Sequence, residues 1–307
     1  MPAKRNSATA SGFHFVNLFQ LCSWKFYLRY CLKIDTRFIP EALVFGGAFH
    51  EGKAIWYTTK NEAKALQATV NYIRGFKADF ESPAAYKLAF DRCPILLGQW
   101  ITQWGKTDLK RYKFLSIEKN FSMPLPGTPY FFTSRPDAVV EDKQTKEWSV
   151  LETKTSASSI QLATDGVHYG DQATAYAWTV RHHFGKKPAY IVPDIAYWNK
   201  RVVGAKTQCV RPELVYRSDD DIDQFIKGTA QLTMEIAQKT EAVRKGSHDP
   251  HVLFPRNTFY CNAYYRPCEF ADVCRQDLSK RLPPGFKRGK GGLSPVAPCS
   301  DVFSVQG

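Results

Sequence analysis

The 307-residue chain has no run of about 18 apolar residues, which excludes a membrane-spanning helix. Acidic residues are scarce beside basic ones, 29 Asp and Glu against 42 Lys and Arg, giving a formal charge of +13. Low hydrophobicity is also missing: 44% hydrophobic and 14% aromatic residues allow a sizeable core and argue against disorder. Eight cysteines at this length are too few for a disulfide scaffold. A secretion leader is not expected. Lys4 and Arg5 precede Phe13–Cys22, but His14, Asn17 and Gln20 interrupt that run and no small-x-small cleavage site follows. The expected compartment is therefore reducing. There is no internal repeat, no helix-turn-helix and no other base-reading motif.

The length allows one large domain or two small ones. With such charge the default partner is a polyanion, nucleic acid ahead of a membrane surface. A basic protein with no such role is the plain alternative.

Residues 1–12 read as a flexible N-terminus, and 13–112 as a helical region. Gly46 and Gly47 open a run with helical spacing, Glu62–Arg74 is a second helix, and Pro83 suits the first turn of a third reaching Trp100–Trp104. From residue 113 the pattern shifts. Lys113–Phe121, Tyr130–Glu141 and Trp148–Thr155 are strand-like, His168–Phe184 is helical, and Ala189–Trp198 and Thr207–Tyr216 are strand-like again. Ser218 with Asp219, Asp220 and Asp221 predicts a capped helix reaching about Lys245. This makes 113–245 a core, 246–282 a cysteine-bearing region and 283–307 a flexible tail. The fold class is mixed α/β, a sheet wrapped in helices.

Chemistry concentrates in Arg135-Pro136-Asp137 and Glu152-Thr153-Lys154. On a strand, Glu152 and Lys154 share one face, and burying charge there needs a reason. An antiparallel hairpin centred between Gln144 and Thr145 sets Asp137 opposite Glu152, so two carboxylates converge beside an ammonium. Close carboxylates on strands suit a hard cation such as Mg²⁺ or Mn²⁺. The alternative is a surface hairpin with an ordinary ion pair.

These segments resemble the signature of the PD-(D/E)XK nucleases. Gly46-Gly47-Ala48-Phe49-His50 resembles the G-x-x-x-H motif of the RecB-like branch, and Gln172-Ala-Thr-Ala-Tyr176 its Q-x-x-x-Y motif. Glu118 resembles an acidic residue often found just before the Asp strand. The resemblance runs from about Cys22 to Cys274 and implies a restriction-endonuclease-like mixed sheet flanked by helices. It implies that Asp137, Glu152 and the Thr153 carbonyl hold the catalytic Mg²⁺ or Mn²⁺, with His50 as a further ligand and Lys154 assisting attack by a bound water. Gln172 and Tyr176, four apart on one helical face, would position DNA or the lysine; core packing is the other reading for Tyr176.

Cys261, Cys268 and Cys274 fall within fourteen residues, and Cys22 lies far upstream. RecB-like nucleases of the AddB type and CRISPR-associated exonucleases have one such cysteine before the core and three after it. The resemblance implies a 4Fe-4S cluster clasping the N- and C-terminal segments. The first gap, six residues, departs from the two of many relatives. Cys31 is a rival fourth ligand, and a Cys₃His zinc site using His248 or His251 is a rival cofactor. Cys93 and Cys209 read as buried small hydrophobes, and Cys299 has no named partner.

Residues 275–290 carry a net +5, either a phosphate-contacting arm or a solvated tail. Aromatics Phe13, Phe15, Phe19, Trp24, Phe26 and Tyr27 either pack a helical core or stack on bases. The expected function is that of a metal-dependent DNA exonuclease without sequence specificity. It would act on single strands or ends in recombination, DNA processing or CRISPR spacer acquisition. The expected place is the cytoplasm, or the host's if the enzyme is phage-encoded. The rivals are an inactive DNA-binding module and a zinc-stabilised adaptor of the same fold.

Overall fold

The computed structural model describes residues 12–199, 207–265, 267–276, 278 and 282–289. Two compact units emerge. The first holds Ile39–Phe121 and Ser134–Phe225; the second holds the described residues of Ala8–Phe38, Ser122–Thr133 and Ile226–Gly307. The units therefore do not part at residue 112: residues 13–38 belong with the cysteine region rather than with the helices that follow them.

The first unit begins with three helices, α1 (Glu41–Thr59), α2 (Glu62–Gly75) and α3 (Pro83–Trp100). Asn61 Oδ1 accepts from the Lys64 N–H and Ser82 Oγ from the Ala85 N–H, while Pro83 fills the first turn of α3. Such caps stabilise a helix by about 1 kcal/mol each. A sheet follows, built from β1 (Tyr112–Ile117), β2 (Ala138–Asp142), β3 (Trp148–Ser156), β4 (Tyr190–Tyr197) and β5 (Gln208–Val210), paired in that order. All pairings are antiparallel except β3 with β4. A parallel pair needs a crossover, and here it carries α4 (Ile160–His168) and α5 (Asp171–Phe184). The mixed α/β class and the mixed sheet flanked by helices are as expected.

Strand alternation decides what each face carries. Ala138, Val140, Leu151, Val192 and Ala196 join Phe45, Ala48, Phe49 and Leu97 of the helices in one core. The opposite face of β3 bears Glu152 and Lys154 and meets α4 and α5.

Several elements differ from the pattern in the sequence. His168–Phe184 is not one helix, because Gly170 in extended conformation separates α4 from α5. The Tyr130–Glu141 run breaks at Arg135–Asp137, and its first half (Phe131–Ser134) forms a separate ribbon with Phe121–Pro124. Of Thr207–Tyr216, only Gln208–Val210 is a strand, with Val215 adding a bridge to Ile191. The helix Asp219–Arg244 starts on a reciprocal cap: Ser218 Oγ accepts from the Asp221 N–H, and Asp221 Oδ2 from the Ser218 N–H.

In the second unit the N- and C-terminal segments are joined. Phe15, Phe19, Phe26 and Tyr27 are buried, and Phe254 packs on Phe19, Phe26 and Tyr27, so these aromatics are core. The Trp24 indole donates to the Cys274 carbonyl at 3.1 Å and Asn257 to the Leu21 carbonyl at 2.9 Å. The expected tail from residue 283 is corrected by Phe286–Arg288, a strand pairing antiparallel with Ile34–Thr36 while Phe286 is buried. Residues 290–307 of that tail, Cys299 among them, and the terminus before Gly12 lie outside the described residues. No helix among the described residues is long and apolar enough to cross a membrane.

Gly52 sets how closely α1 meets its neighbours, because a Cβ there would strike Thr69 Oγ1 and Leu97 Cδ2. Gly52→Ala is expected to destabilise the protein by about 1–3 kcal/mol through overpacking. Urea unfolding of the two proteins measures this directly.

Candidate active site

The site is built on the β2–β3 hairpin. Ala138 faces Leu151, Val139 faces Val150, Val140 faces Ser149 and Glu141 faces Trp148. These pairs keep the register expected of the hairpin, and the ladder ends at Ala138 and Leu151, one residue short of Asp137 and Glu152. The turn is longer than two residues: Asp142 Oδ1 accepts from the Gln144 and Thr145 N–H groups and closes it. Asp137 sits just before β2, and its Oδ2 accepts the Thr153 N–H at 2.7 Å.

His50 arrives from α1. Its Nδ1 lies 3.2 Å from Asp137 Oδ1 and 3.1 Å from Glu118 Oε1. His50, Glu118 and Asp137 each present a ligating atom, all within 4.8 Å of one another. Glu118 follows β1 with φ +46, and a bulge between Phe114 and Ser116 precedes it. That left-handed backbone is strained for a non-glycine residue and turns the carboxylate toward His50. The Glu118 N–H donates to the Asp137 carbonyl, and Arg135 Nε lies 3.2 Å from Glu118 Oε2. A pocket lined by His50, Lys53, Tyr57, Glu118, Asp137 and Thr153 marks this end of the sheet.

On the other face of β3, Lys154 Nζ lies 2.6 Å from Glu152 Oε1 and donates to Gln172 Oε1 at 2.6 Å. The Gln172 amide in turn donates to the Tyr176 hydroxyl at 2.7 Å. Gln172 and Tyr176 thus join the lysine, and Tyr176 is at the same time buried. Glu152 is not in the His50 group. Its Oε2 is buried and has no hydrogen-bond partner.

The electrostatics follow from this crowding. Burial pushes Glu152 up to about 7, Lys154 pulling against it and the Asp137 charge adding to it. Asp137 is held at about 2: burial opposes ionisation, but His50 beside it, the Thr153 N–H and Lys154 prevail. Removal from water would lower His50, yet Asp137 and then Glu118 push it up to about 10. Burial works against the Lys154 ammonium as well, but Glu152 keeps its value above the ordinary one. The site thus contains three carboxylates, one of which resists ionisation, and an orphaned oxygen. That donor set fits a hard divalent cation.

The described cysteines form no disulfide. Cys22 is buried and Cys261, Cys268 and Cys274 are half-buried in the second unit. Burial raises the Cys274 thiol, Arg256 opposes this, and the charges of Cys22, Cys261 and Cys268 raise it further. Cys22, Cys261 and Cys268 thus lie within electrostatic reach of Cys274. No group of three ligating atoms other than that at His50 gathers within 4.8 Å among the described residues. His251 stacks on Trp24 at 4.0 Å between ring centroids and His248 contacts Ser247, so neither histidine joins the thiols in a zinc-like group.

A mixed sheet carrying these carboxylates and a lysine at its hairpin defines a hydrolase-type centre fitted to a divalent cation. The sequence matches the PD-(D/E)XK nuclease superfamily over residues 14–275, and the chain belongs to that superfamily. Members use divalent metals, and the nuclease fold implies DNA as substrate. Among solved structures the chain is similar to LHK-Exo, solved in complex with dAMP, at 15% identity and a TM-score of 0.30, over 66% of this chain and 96% of that one. It is similar to SSO0001 at 15% identity and a TM-score of 0.30, over 73% and 84% of the two chains. Comparison with curated proteins finds no match.

The sequence did not point to Lys53, which lies beside the site. It is three residues after His50, and its partners are distant in the chain.

The shifts set a pH dependence for the metal-free protein. Asp137, lowered to about 2, contributes stability above its unfolded value of about 3.9 and loses it as pH falls toward 2. Glu152, raised to about 7, favours folding below about 4.3 and loses that contribution as pH rises through 7. His50, raised to about 10, loses its contribution between about 6.5 and 10. Thermal melts in EDTA are therefore expected to fall from pH 5.5 to pH 9. Saturating Mn²⁺ flattens the slope, and Glu152→Gln removes the part of it below pH 7.

Proposed function

We propose that the protein is a Mg²⁺- or Mn²⁺-dependent deoxyribonuclease, an exonuclease hydrolysing phosphodiester bonds of single-stranded DNA or DNA ends without sequence specificity. The observation that carries this reading is the convergence of His50, Glu118 and Asp137, each with a ligating atom within 4.8 Å of the others, in a chain of charge +13. Asp137, Glu152, the Thr153 carbonyl and His50 would hold the cation, with Glu118 as an added carboxylate. When bound, the cation polarises a phosphoryl oxygen and lowers the pKa of a water.

The rest of the chemistry belongs to the chain. Lys154 is fixed by two acceptors, Glu152 Oε1 and Gln172 Oε1, leaving one ammonium hydrogen to orient the attacking water or to meet charge developing on the phosphate. Tyr176 sets the Gln172 amide so that its oxygen, not its nitrogen, faces the lysine. The His50 proton must leave as the cation arrives, so binding releases protons. The Gly46–His50 and Gln172–Tyr176 pairs, on α1 and α5, support the RecB-like branch. Recombination, DNA processing and spacer acquisition are the settings such an enzyme suits, in the cytoplasm of a cell or of a phage host.

A second cofactor belongs to the same reading. Cys22, Cys261, Cys268 and Cys274 would hold a 4Fe-4S cluster that tethers the two ends of the second unit. Four unbridged, mutually interacting thiols are a soft donor set that fits iron–sulfur chemistry.

Wild type and Lys154→Ala are compared on labelled single-stranded DNA with Mn²⁺. The wild type is expected to cut and the variant to be slower by about a hundredfold or more. No cutting by the wild type, or equal cutting by both, overturns the nuclease mechanism. Labelling each end in turn reads the polarity. Iron and sulfide analysis of aerobically purified protein tests the cluster: a brown protein is expected, and a colourless one with stoichiometric zinc overturns the assignment.

A further inference from the structure

Behind β3, on the face away from Glu152 and Lys154, lies a buried charged network that the proposed chemistry does not use. Lys53, on α1, has 5% of its side chain exposed. Its Nζ donates to Thr153 Oγ1 at 2.6 Å and to Asp194 Oδ2 at 2.6 Å, and sits 4.2 Å from the centre of a Trp100 ring. Two acceptors and one π face give the ammonium three partners. Asp194 is fully buried, and it also accepts from the Trp100 indole at 2.9 Å and lies 3.4 Å from Arg211. Arg211 holds Asp108 through two bonds of 2.7 and 2.6 Å, and the Tyr57 hydroxyl donates to Asp108 at 2.8 Å. The network is two cations and two carboxylates, neutral in sum, with Arg211 Nε its one donor left without a hydrogen-bond partner.

Apolar residues could fill such a core at less desolvation cost, so its connection to the site calls for an account. Thr153 is that connection. Its side chain points back to Lys53, while its N–H points forward to Asp137 Oδ2. The other oxygen of Asp137 meets His50, one turn before Lys53 on the same helix. Helix α1 thus grips Asp137 from both sides: directly through His50, and through the strand by way of Lys53 and Thr153.

We propose that Lys53 is a positioning residue. Anchored by Asp194, it fixes the Thr153 segment of β3 against α1, so that the Thr153 backbone and the Asp137 carboxylate are pre-set for a divalent cation. The proposal rests on the cation site described above. It gives the buried ion pair a role in metal affinity rather than in folding alone.

Thr153→Val tests it, because valine keeps the shape and strand preference while removing the acceptor and leaving the Lys53–Asp194 pair in place. Full-length protein is stripped of divalent cations and titrated with Mn²⁺ alone, following free Mn²⁺ by electron paramagnetic resonance well below the melting temperature. The expected result is a Kd about tenfold weaker than wild type, the lower end of what lost support behind a ligand costs. Thr153→Ser is expected to restore it. On DNA, kcat is expected to fall at saturating substrate with KM unchanged. If valine does not fold, Thr153→Ala replaces it: a water can then satisfy Lys53, but the strand is untethered, and the same weakening is expected. Wild-type Mn²⁺ affinity in the valine or alanine variant, with or without lowered stability, overturns the proposal and leaves the nuclease reading intact. A wild type that takes up no Mn²⁺ overturns both.

Discussion

Asp137 and Glu152 stand close together at the β2–β3 hairpin, and two carboxylates withdrawn from water repel one another's ionisation. Each feature around them answers that repulsion. His50 sits on Asp137, Lys154 on Glu152 and Arg135 on Glu118, so each carboxylate has its own cation. The settlement is incomplete, because Glu152 keeps an unpartnered oxygen and a raised value near 7. His50, protonated between Asp137 and Glu118, supplies in the metal-free protein the positive charge that a divalent cation would bring. The site is balanced for the exchange of protons for a cation.

The two faces of β3 divide the electrostatic work. The side bearing Glu152 and Lys154 leaves charge partly unsatisfied and opens toward helices that carry polar groups. The side bearing Thr153 is balanced in charge, with Lys53 and Arg211 paired to Asp194 and Asp108. This network stiffens the strand, since moving Thr153 would break its charge-assisted contact with Lys53 in a medium where such contacts are strong.

Local signals carried much of this into the sequence. The hairpin register was legible because strand alternation and a turn midpoint suffice to pair β2 with β3. The cap at Ser218 and the first-turn Pro83 of α3 are short-range chemistry of the same kind, whereas the break at Pro136 went unread inside the Tyr130–Glu141 run. Helix α4 was missed because the polar Ser-Ala-Ser-Ser stretch before it reads as loop, although Ser159 caps the helix. Lys53 left no trace: on an amphipathic helix a lysine reads as a solvated charge. Its partners Thr153 and Asp194 lie 100 and 141 residues away, so only the fold brings them to it. The strand Phe286–Arg288 was hidden in the same way. Its pairing partner is at the other end of the chain, and Gly and Pro around it signal a tail.

The thiols of the second unit are not gathered as tightly as a single bound ion would gather them. A single zinc with Zn–S bonds of about 2.3 Å brings its sulfurs to roughly 3.8 Å from one another. Thiols so gathered would form a group within 4.8 Å, and the cysteines of the second unit do not. They are nevertheless close enough for Cys22, Cys261 and Cys268 each to raise the Cys274 thiol. Lys25, buried beside Glu269, favours the Cys268 thiolate and so offsets part of its charge. The backbone already bridges the same residues, through the Trp24 indole on the Cys274 carbonyl and the Cys268 N–H on the Cys261 carbonyl at 2.7 Å. The thiols are therefore held near one another by contacts that need no metal, and a cluster would lock an approach the protein has already made.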